Sequence, residues 1–410
     1  MNDLLDRLKS LGLIIPTHKI ETRKKQVFPP LEEYFDGVWI NKSQGKVFYL
    51  NSSVSYGSDF GIIRFQNNFS TKAIIKLLGL DLVTTFSLKN IVFLDIETTN
   101  LSIGSGSFAF LVGLCYFTKH NIQTNLFFIE DPIDEPALLD CLDDELSKFD
   151  VISSYNGKSF DIPLLRNRFI MQKITSDCLQ KTHIDLLHVS RKIWKARINN
   201  CRLADIEREI LKYSRSDVEI PGWLVPQIYF DFLKQKNPQL LNGVFYHNKI
   251  DVLSLAALFQ NITLSLNGDD SIDTLEGLDL TSIGQIYQKL GQKKLSQTYY
   301  DLGLKKGVDN KNTASVHKNL GLLKKKHLDW DGAIYHWKIA TTYNDLESCI
   351  ELAKYYEHNL KNYLIALVWT TKANLILNLS KKENLSKIKV EEKIIHRKNR
   401  LLRKIKTIER

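Results

Sequence analysis

Hydrophobic and polar positions change their period three times along this chain. Up to about Lys89 they predict one short amphipathic helix, Asp3 to Leu11, and then alternating, aromatic-rich stretches bounded by turn residues: Gly37 to Asn41, Gly45 to Leu50 and Gly61 to Phe65. Such alternation predicts a small sheet. From Asn90 to Asn267 the pattern becomes α/β. Ile91 to Asp95 reads as a buried strand with a polar end, Phe110 to Phe117 as a second and Asn125 to Glu130 as a third, with gaps short enough for antiparallel pairing. Glu135 to Phe149 has helical spacing. Val151 to Tyr155 is a fourth strand before a helix from about Ser159. His183 to Leu187 is a fifth, before a helix from about Leu203 to Leu211, and Asp251 to Phe259 is a further helix. Three antiparallel and then parallel strands, alternating with helices, predict an α/β core with a mixed sheet.

Between Asn261 and Ser282 there are five acidic residues and no Lys or Arg, and Asn267-Gly268-Asp269-Asp270 is a turn signal. Beyond it lies an all-α segment with a degenerate repeat. Leu320-Gly321, Gly332-Ala333, Trp337 and Ala340 are echoed by Ala366, Trp369 and Ala373, and upstream by Gly284, Ser296, Tyr300 and Gly303. Small residues at helix crossings with aromatics one turn on resemble tetratricopeptide (TPR) repeats, helix pairs that bury their apolar faces only by stacking. The expected division is 1–89, an N-terminal helix and small β-rich segment; 90–267, the α/β core; 281–378, TPR-like helical repeats; and 379–410, a basic C-terminal helix.

Composition narrows the class. Of 410 residues, 43% are apolar and 25% charged, which excludes wholesale disorder and collagen-like or mucin-like chains. The run Leu11 to Ile15 is too short for a signal core, and no stretch is expected to reach the roughly 20 apolar residues of a membrane span. The chain is therefore expected to be soluble and cytoplasmic. Cys115, Cys141, Cys178, Cys201 and Cys349 are odd in number and widely spaced, which argues against a disulfide framework or a structural zinc site and for free thiols in a reducing compartment. The net charge is +10, of which +8 lies in Leu379 to Arg410. That tail has an apolar stripe of Ile388, Ile394, Ile395, Leu401, Leu402 and Ile405. It reads as a helix packed on the preceding domain, as a phosphate-contacting arm, or as both.

The chemistry rests on residues far apart in sequence. Asp95 and Glu97 close a strand and turn to one face. Asn156-Gly157-Lys158-Ser159-Phe160-Asp161 follows the fourth strand, placing Asp161 at a helix start, where the macrodipole alone also favours it. His247 and Asp251 stand one helical turn apart and share a face, whereas Tyr246 points roughly 140° from Asp251. Each piece alone has a bland reading. Together, four carboxylates at the ends of α/β elements suit magnesium or manganese. Two such ions about 3.5–4 Å apart make the arrangement for phosphodiester cleavage. A histidine beside them can take a proton from water.

Asp-Ile-Glu-Thr-Thr, Asn-x3-Phe-Asp and His-x3-Asp resemble the three motifs of the DEDD (DnaQ-like) 3′-5′ exonucleases, which have a ribonuclease H-like fold. More narrowly, Gly104 to Gly113, His183 to Leu187, Cys201 to Glu207, and Asp217 to Gly222 with Val225-Pro226 resemble the YprB ribonuclease H-like family, which joins this domain to TPR-like repeats. The resemblance implies an enzyme, a metal-dependent 3′-5′ exonuclease on DNA, with a role in DNA repair. It implies Asp95, Glu97, Asp161 and Asp251 as ligands of two Mg2+ or Mn2+ ions and His247 as general base. Thr98, Leu101 and Asn156 are implied to contact substrate, and a helicase or other protein partner to engage the repeats. In this sequence a histidine stands four residues before the last Asp, where the tyrosine subclass carries its base, and Tyr246 stands five before, where the histidine subclass does. A tyrosine hydroxyl is a poor base at neutral pH, which favours His247. A nucleic-acid-binding adaptor with a silent site, and an endonuclease or RNase on the same fold, are the rival readings. Gly104-Ser-Gly106 reads as a phosphate contact or a tight connection, and His183 and Asp185 as supports of the site or as ordinary strand polars. Trp194 and Lys195 lie in a basic, aromatic stretch of the kind nucleic-acid surfaces use.

Overall fold

The computed structural model describes residues 28–79, 87–100, 106–268, 273–379 and 385–408. The helix expected over Asp3 to Leu11 lies outside them. Seven strands form one sheet in the order β1-β2-β7-β6-β5-β8-β9. They are β1 (Gly37–Lys42), β2 (Gly45–Ser55), β5 (Ile91–Thr98), β6 (Ala109–Phe117), β7 (Asn121–Phe128), β8 (Val151–Ser154) and β9 (Thr182–Asp185). The short pair β3 (Asp59–Phe60) and β4 (Ile63–Arg64) stands apart. β5, β6 and β7 pair antiparallel as expected, and β8 and β9 add in parallel beside β5. β1 and β2 do not make a separate sheet. β2 pairs antiparallel with β7, Phe48 opposite Phe128, and so extends the central sheet.

Helices of eight or more residues are numbered here. α1 (Glu135–Leu146), α2 (Asp161–Met171) and α4 (Val225–Gln235) cover one face of the sheet. α3 (Leu186–Trp194) and α5 (Leu241–Asn267) cover the other, and α5 also reaches the first core through Leu241, Val244 and Phe245. His247 lies inside α5. This corrects the expectation that the helix opens at Asp251, because Leu241, Val244 and Phe245 already enter the core and the capping residue, Asn237, stands upstream of them. By length and composition α5, with the turn before it, could cross a membrane. This corrects the expectation that no stretch is long and apolar enough, but 83% of its apolar window is buried inside the molecule. A core helix covered on all sides needs no polar stripe.

The C-terminal region is all-helical. α6 (Gly277–Lys289) and α7 (Lys293–Lys306), α8 (Asn310–Lys326) and α9 (Trp330–Thr342), and α10 (Leu346–His358) and α11 (Tyr363–Leu379) form successive hairpins before α12 (Leu385–Ile408). A Cβ on Gly284 would stand 2.9 Å from the Tyr300 ring, and one on Gly321 would stand 2.4 Å from Trp337 Nε1. Glycine is what permits both close crossings.

α12 packs through Ile394 and Leu401, and its charges meet a buried carboxylate. Glu357 accepts from Arg397 Nη1 at 2.6 Å, from Arg400 Nε and Nη2 at 2.8 Å each, and from Lys404 Nζ at 3.0 Å. Burial works against its charge, yet the bonds and charges of Arg400, Lys404 and Arg397 outweigh it and hold the carboxyl down to about 2. A depressed carboxyl stabilises above its ordinary titration range and loses that contribution as pH falls through its folded value. The docking of α12 is therefore expected to weaken between about pH 4.5 and about 2. Limited acid proteolysis should cut α12 progressively across that window, and Glu357→Gln should remove the pH dependence.

Candidate active site

β5 is the middle of the chemistry. Ile91 to Leu94 are fully buried between the two helical layers, and the strand becomes partly exposed from Asp95 onward. Asp95 and Glu97 project from one face at this end. β8 runs parallel beside β5, and the chain leaving it turns sharply through Asn156, whose φ is +64°. Asp185, buried at the end of β9, accepts from the backbone N–H of Asn156 at 2.9 Å, Lys158 at 3.2 Å and Leu187 at 3.1 Å. It thereby fixes the turn that delivers Asp161 as the first residue of α2. His183 Nε2 lies 2.8 Å from Ser154 Oγ on the same two strands. A Cβ on Gly157 would fall 2.2 Å from Ser154 Oγ and 2.8 Å from Asp161 Oδ2, so only glycine fits under this carboxylate.

α5 brings the remaining groups. His247 Nε2 lies 3.7 Å from Glu97 Oε1 and 3.5 Å from Asp251 Oδ2. One ligand atom each from Glu97, His247 and Asp251 all lie within 4.8 Å of one another. Asp95 and Asp161 stand just outside this tight group but within reach of its charge. Burial first, and then the charges of Asp251, Glu97 and Asp161, push the Asp95 carboxyl well up, against a 2.8 Å hydrogen bond from Asn248 Nδ2. Glu97 is pushed well up by burial and by Asp251, Asp161 and Glu219, with Arg215 opposing. Asp161 is pushed up to about 7 by burial and by Asp185 and Asp251. Oxygen donors that raise one another's pKa across a small space fit a hard divalent cation, whose charge would reverse those shifts.

Other residues expected at the site have different settings. Thr98 Oγ1 donates to the Asn100 carbonyl at 2.6 Å, so its hydroxyl has a local partner. Leu101, Gly104 and Ser105 lie outside the described residues. Trp194 is fully buried among the core side chains, so it is no surface aromatic, although Arg191 and Lys195 beside it are exposed. Tyr246 turns to the 213–216 loop, where its hydroxyl accepts from the Ser216 N–H at 2.8 Å.

Other polar residues at the site were not singled out by sequence. Asn248 is buried next to His247 and holds Asp95, and a Cβ on Gly113 would meet its Oδ1 at 2.2 Å. Arg215, on the loop after the irregular helical turn at Glu207–Leu211, bonds Glu207 at 2.6 and 2.7 Å, Glu219 at 2.8 Å, and Asp251. Burial works against its charge, but Glu207, Asp251 and Glu219 more than compensate and raise its pKa.

Residues 92–263 match the model of a family described as RNase_H superfamily. Over 294 residues the chain is 31% identical to the uncharacterized protein YprB of Bacillus subtilis (strain 168), a match covering 69% of this chain and 68% of that protein. Among solved structures, the family B DNA polymerase of the hyperthermophilic archaeon Pyrobaculum calidifontis is similar at 16% identity with a TM-score of 0.35, over 59% of this chain and 34% of the polymerase. The chain thus spans about a third of that polymerase's length. The mixed sheet with helices on both faces is accordingly a ribonuclease H-like core followed by a helical region, and the chain belongs to the YprB family.

Proposed function

We propose that this chain is a metal-dependent 3′-5′ exonuclease acting on DNA, in DNA repair. The observation that carries the reading is the meeting of Glu97, His247 and Asp251 within 4.8 Å at the end of β5, with Asp95 and Asp161 buried close enough for the charge of Asp251 to push both of them up. Asp95, Glu97, Asp161 and Asp251 would hold two divalent cations, Mg2+ or Mn2+. Bound there, such ions lower the pKa of water and stabilise a leaving 3′ oxygen. The chain's own part is to hold these carboxylates in place through Asn248, Gly157 and Asp185, and to receive the proton of the attacking water at His247 Nε2. Asn156 faces an open cleft of about 670 Å³ lined by Arg191, Lys195, Arg202, Asn199 and Asn200. Arg191, Lys195 and Arg202 have no carboxylate partner among the described residues, which suits them to strand phosphates. Exposed Phe160, beside Asp161, and exposed Trp223, beside the Gly222 that abuts His247, offer faces for bases to stack on.

For residues 281–378 we take the TPR-like reading, with a helicase or other protein partner. Its support is the equivalent Gly284–Tyr300 and Gly321–Trp337 crossings. Five buried free thiols agree with a reducing, cytoplasmic setting.

The test is a 3′-labelled and a 5′-labelled single strand incubated with purified protein and manganese. Mononucleotides released from the 3′ end, and their loss in Asp251→Ala, are expected. Undiminished activity in that variant would remove the metal-site assignment. Oligonucleotides from a circular or end-blocked substrate would convert the reading to an endonuclease, and tight DNA binding without cleavage would leave a silent adaptor.

A further inference from the structure

Two stretches with no part in holding metal, Cys201 to Glu207 and Asp217 to Gly222, fold against the helix that carries His247. We infer that Glu219 is the positioning residue for His247, holding the imidazole with its proton on Nδ1 and its bare Nε2 turned toward Glu97 and Asp251. The inference rests on the nuclease reading for its consequence, but not for its geometry.

Glu219 Oε1 lies 2.6 Å from His247 Nδ1 and 2.8 Å from Arg215 Nη1. A carboxylate only accepts, so the short contact requires the hydrogen on Nδ1. Arg215 Nη1 is also 3.2 Å from Nδ1, but it is a donor as well, so both N–H groups serve the one oxygen between them. With Nδ1 protonated, a neutral imidazole carries its lone pair on Nε2, the atom 3.5 Å from Asp251 and 3.7 Å from Glu97. The other oxygen, Glu219 Oε2, is buried and has no partner among the described residues.

Arg215 keeps Glu219 in place. Its Nε and Nη2 bond the two oxygens of buried Glu207, Nη2 also bonds Asp251, and Ser254 Oγ braces Glu207 at 2.6 Å. A planar guanidinium can bridge three carboxylates this way and an ammonium cannot. Gly222 completes the setting. Even a Cβ there would sit only 3.5 Å from Nε2, so a larger side chain would close the approach to the lone pair.

The experiment uses the full chain with 15N-labelled histidine, in chelator, at alkaline pH. The His247 signals should show a protonated Nδ1 and a bare Nε2 in the wild type and in Glu219→Gln, whose amide oxygen still accepts, and a shift toward the Nε2–H form in Glu219→Ala. With manganese and DNA, Glu219→Ala should lower kcat about 10–100-fold with KM within about twofold, and Glu219→Gln should retain most activity. In a His247→Ala background, Glu219→Ala should add less than about twofold, because groups that act as a unit do not add. A wild-type tautomer signal in Glu219→Ala, or an equally large loss without His247, would overturn the inference. A chain that cleaves no DNA yet shows the tautomer change would sink the nuclease reading and leave this positioning role standing.

Discussion

Asp95→Asn is expected to abolish manganese-dependent cleavage, by about 1,000-fold or more, while raising the melting temperature of the metal-free protein. Both effects come from one feature. Asp95 is withdrawn from water and crowded by Asp251, Glu97 and Asp161, and these are the causes of its raised pKa. A carboxylate there is unfavourable until a cation neutralises the group. The amide keeps an oxygen to accept from Asn248 Nδ2 and keeps the volume, but removes a charge from the repulsion. Relief of about 1 kcal/mol would raise the melting temperature by roughly 2–4 °C in chelator. The same charge is what a divalent ion needs, and losing the several kcal/mol that an ion supplies corresponds to the expected drop in rate. Manganese should stabilise the wild type against heat and leave Asp95→Asn nearly unmoved, by linkage. Melting curves with and without manganese, beside nucleotide release, check both halves. A variant that melts lower in chelator would contradict the electrostatic account, even with activity lost.

What could be read from sequence follows the range of the interactions. β5 and β6 declare themselves because strands covered on both faces are nearly unbroken apolar runs, and Asp95 stands out as the end of such a run. The spacing of His247 and Asp251 is local too. The beginning of α5 is harder to read, since Leu241, Val244 and Phe245 are buried without an alternating stripe and the start signal stands upstream, where Asn237 caps the Pro238–Leu240 turn that leads into the helix. Nor is the destination of β2, because alternation marks it as a strand while its partner β7 lies some 80 positions away. α3 begins where a strand was expected to continue, because Asp185 caps Leu187 and turns the chain into a helix. The most consequential omission is the cluster around Arg215. Glu219 stands only four residues along the same loop, but that loop has no helical period to mark the pair, and Glu207 and Asp251 come to it from the irregular turn before it and from α5.

That cluster gives the largest expected effect on stability. Glu207→Ala should lower the unfolding free energy by on the order of 3 kcal/mol, because it takes the bidentate partner from a guanidinium that is mostly out of water, leaves Ser254 Oγ without its acceptor and opens a cavity. Glu207 has a side chain only 3% exposed, and its two oxygens take two bonds from Arg215 and one from Ser254. Without them Arg215 keeps Asp251 and Glu219 but loses its bidentate anchor, and Ser254 loses its acceptor. Urea unfolding should show the loss as a lower midpoint at an unchanged slope. The double variant Glu207→Leu with Arg215→Met separates stability from chemistry. Replacing both members of a buried ion pair with apolar side chains of similar volume is often neutral or stabilising, so part of the lost stability should return, less the cost of leaving Asp251 and Glu219 without their cation. Cleavage should not return, because the guanidinium that clamps Asp251 and Glu219 is gone. If the double variant regains its activity along with its stability, the cluster serves the fold alone.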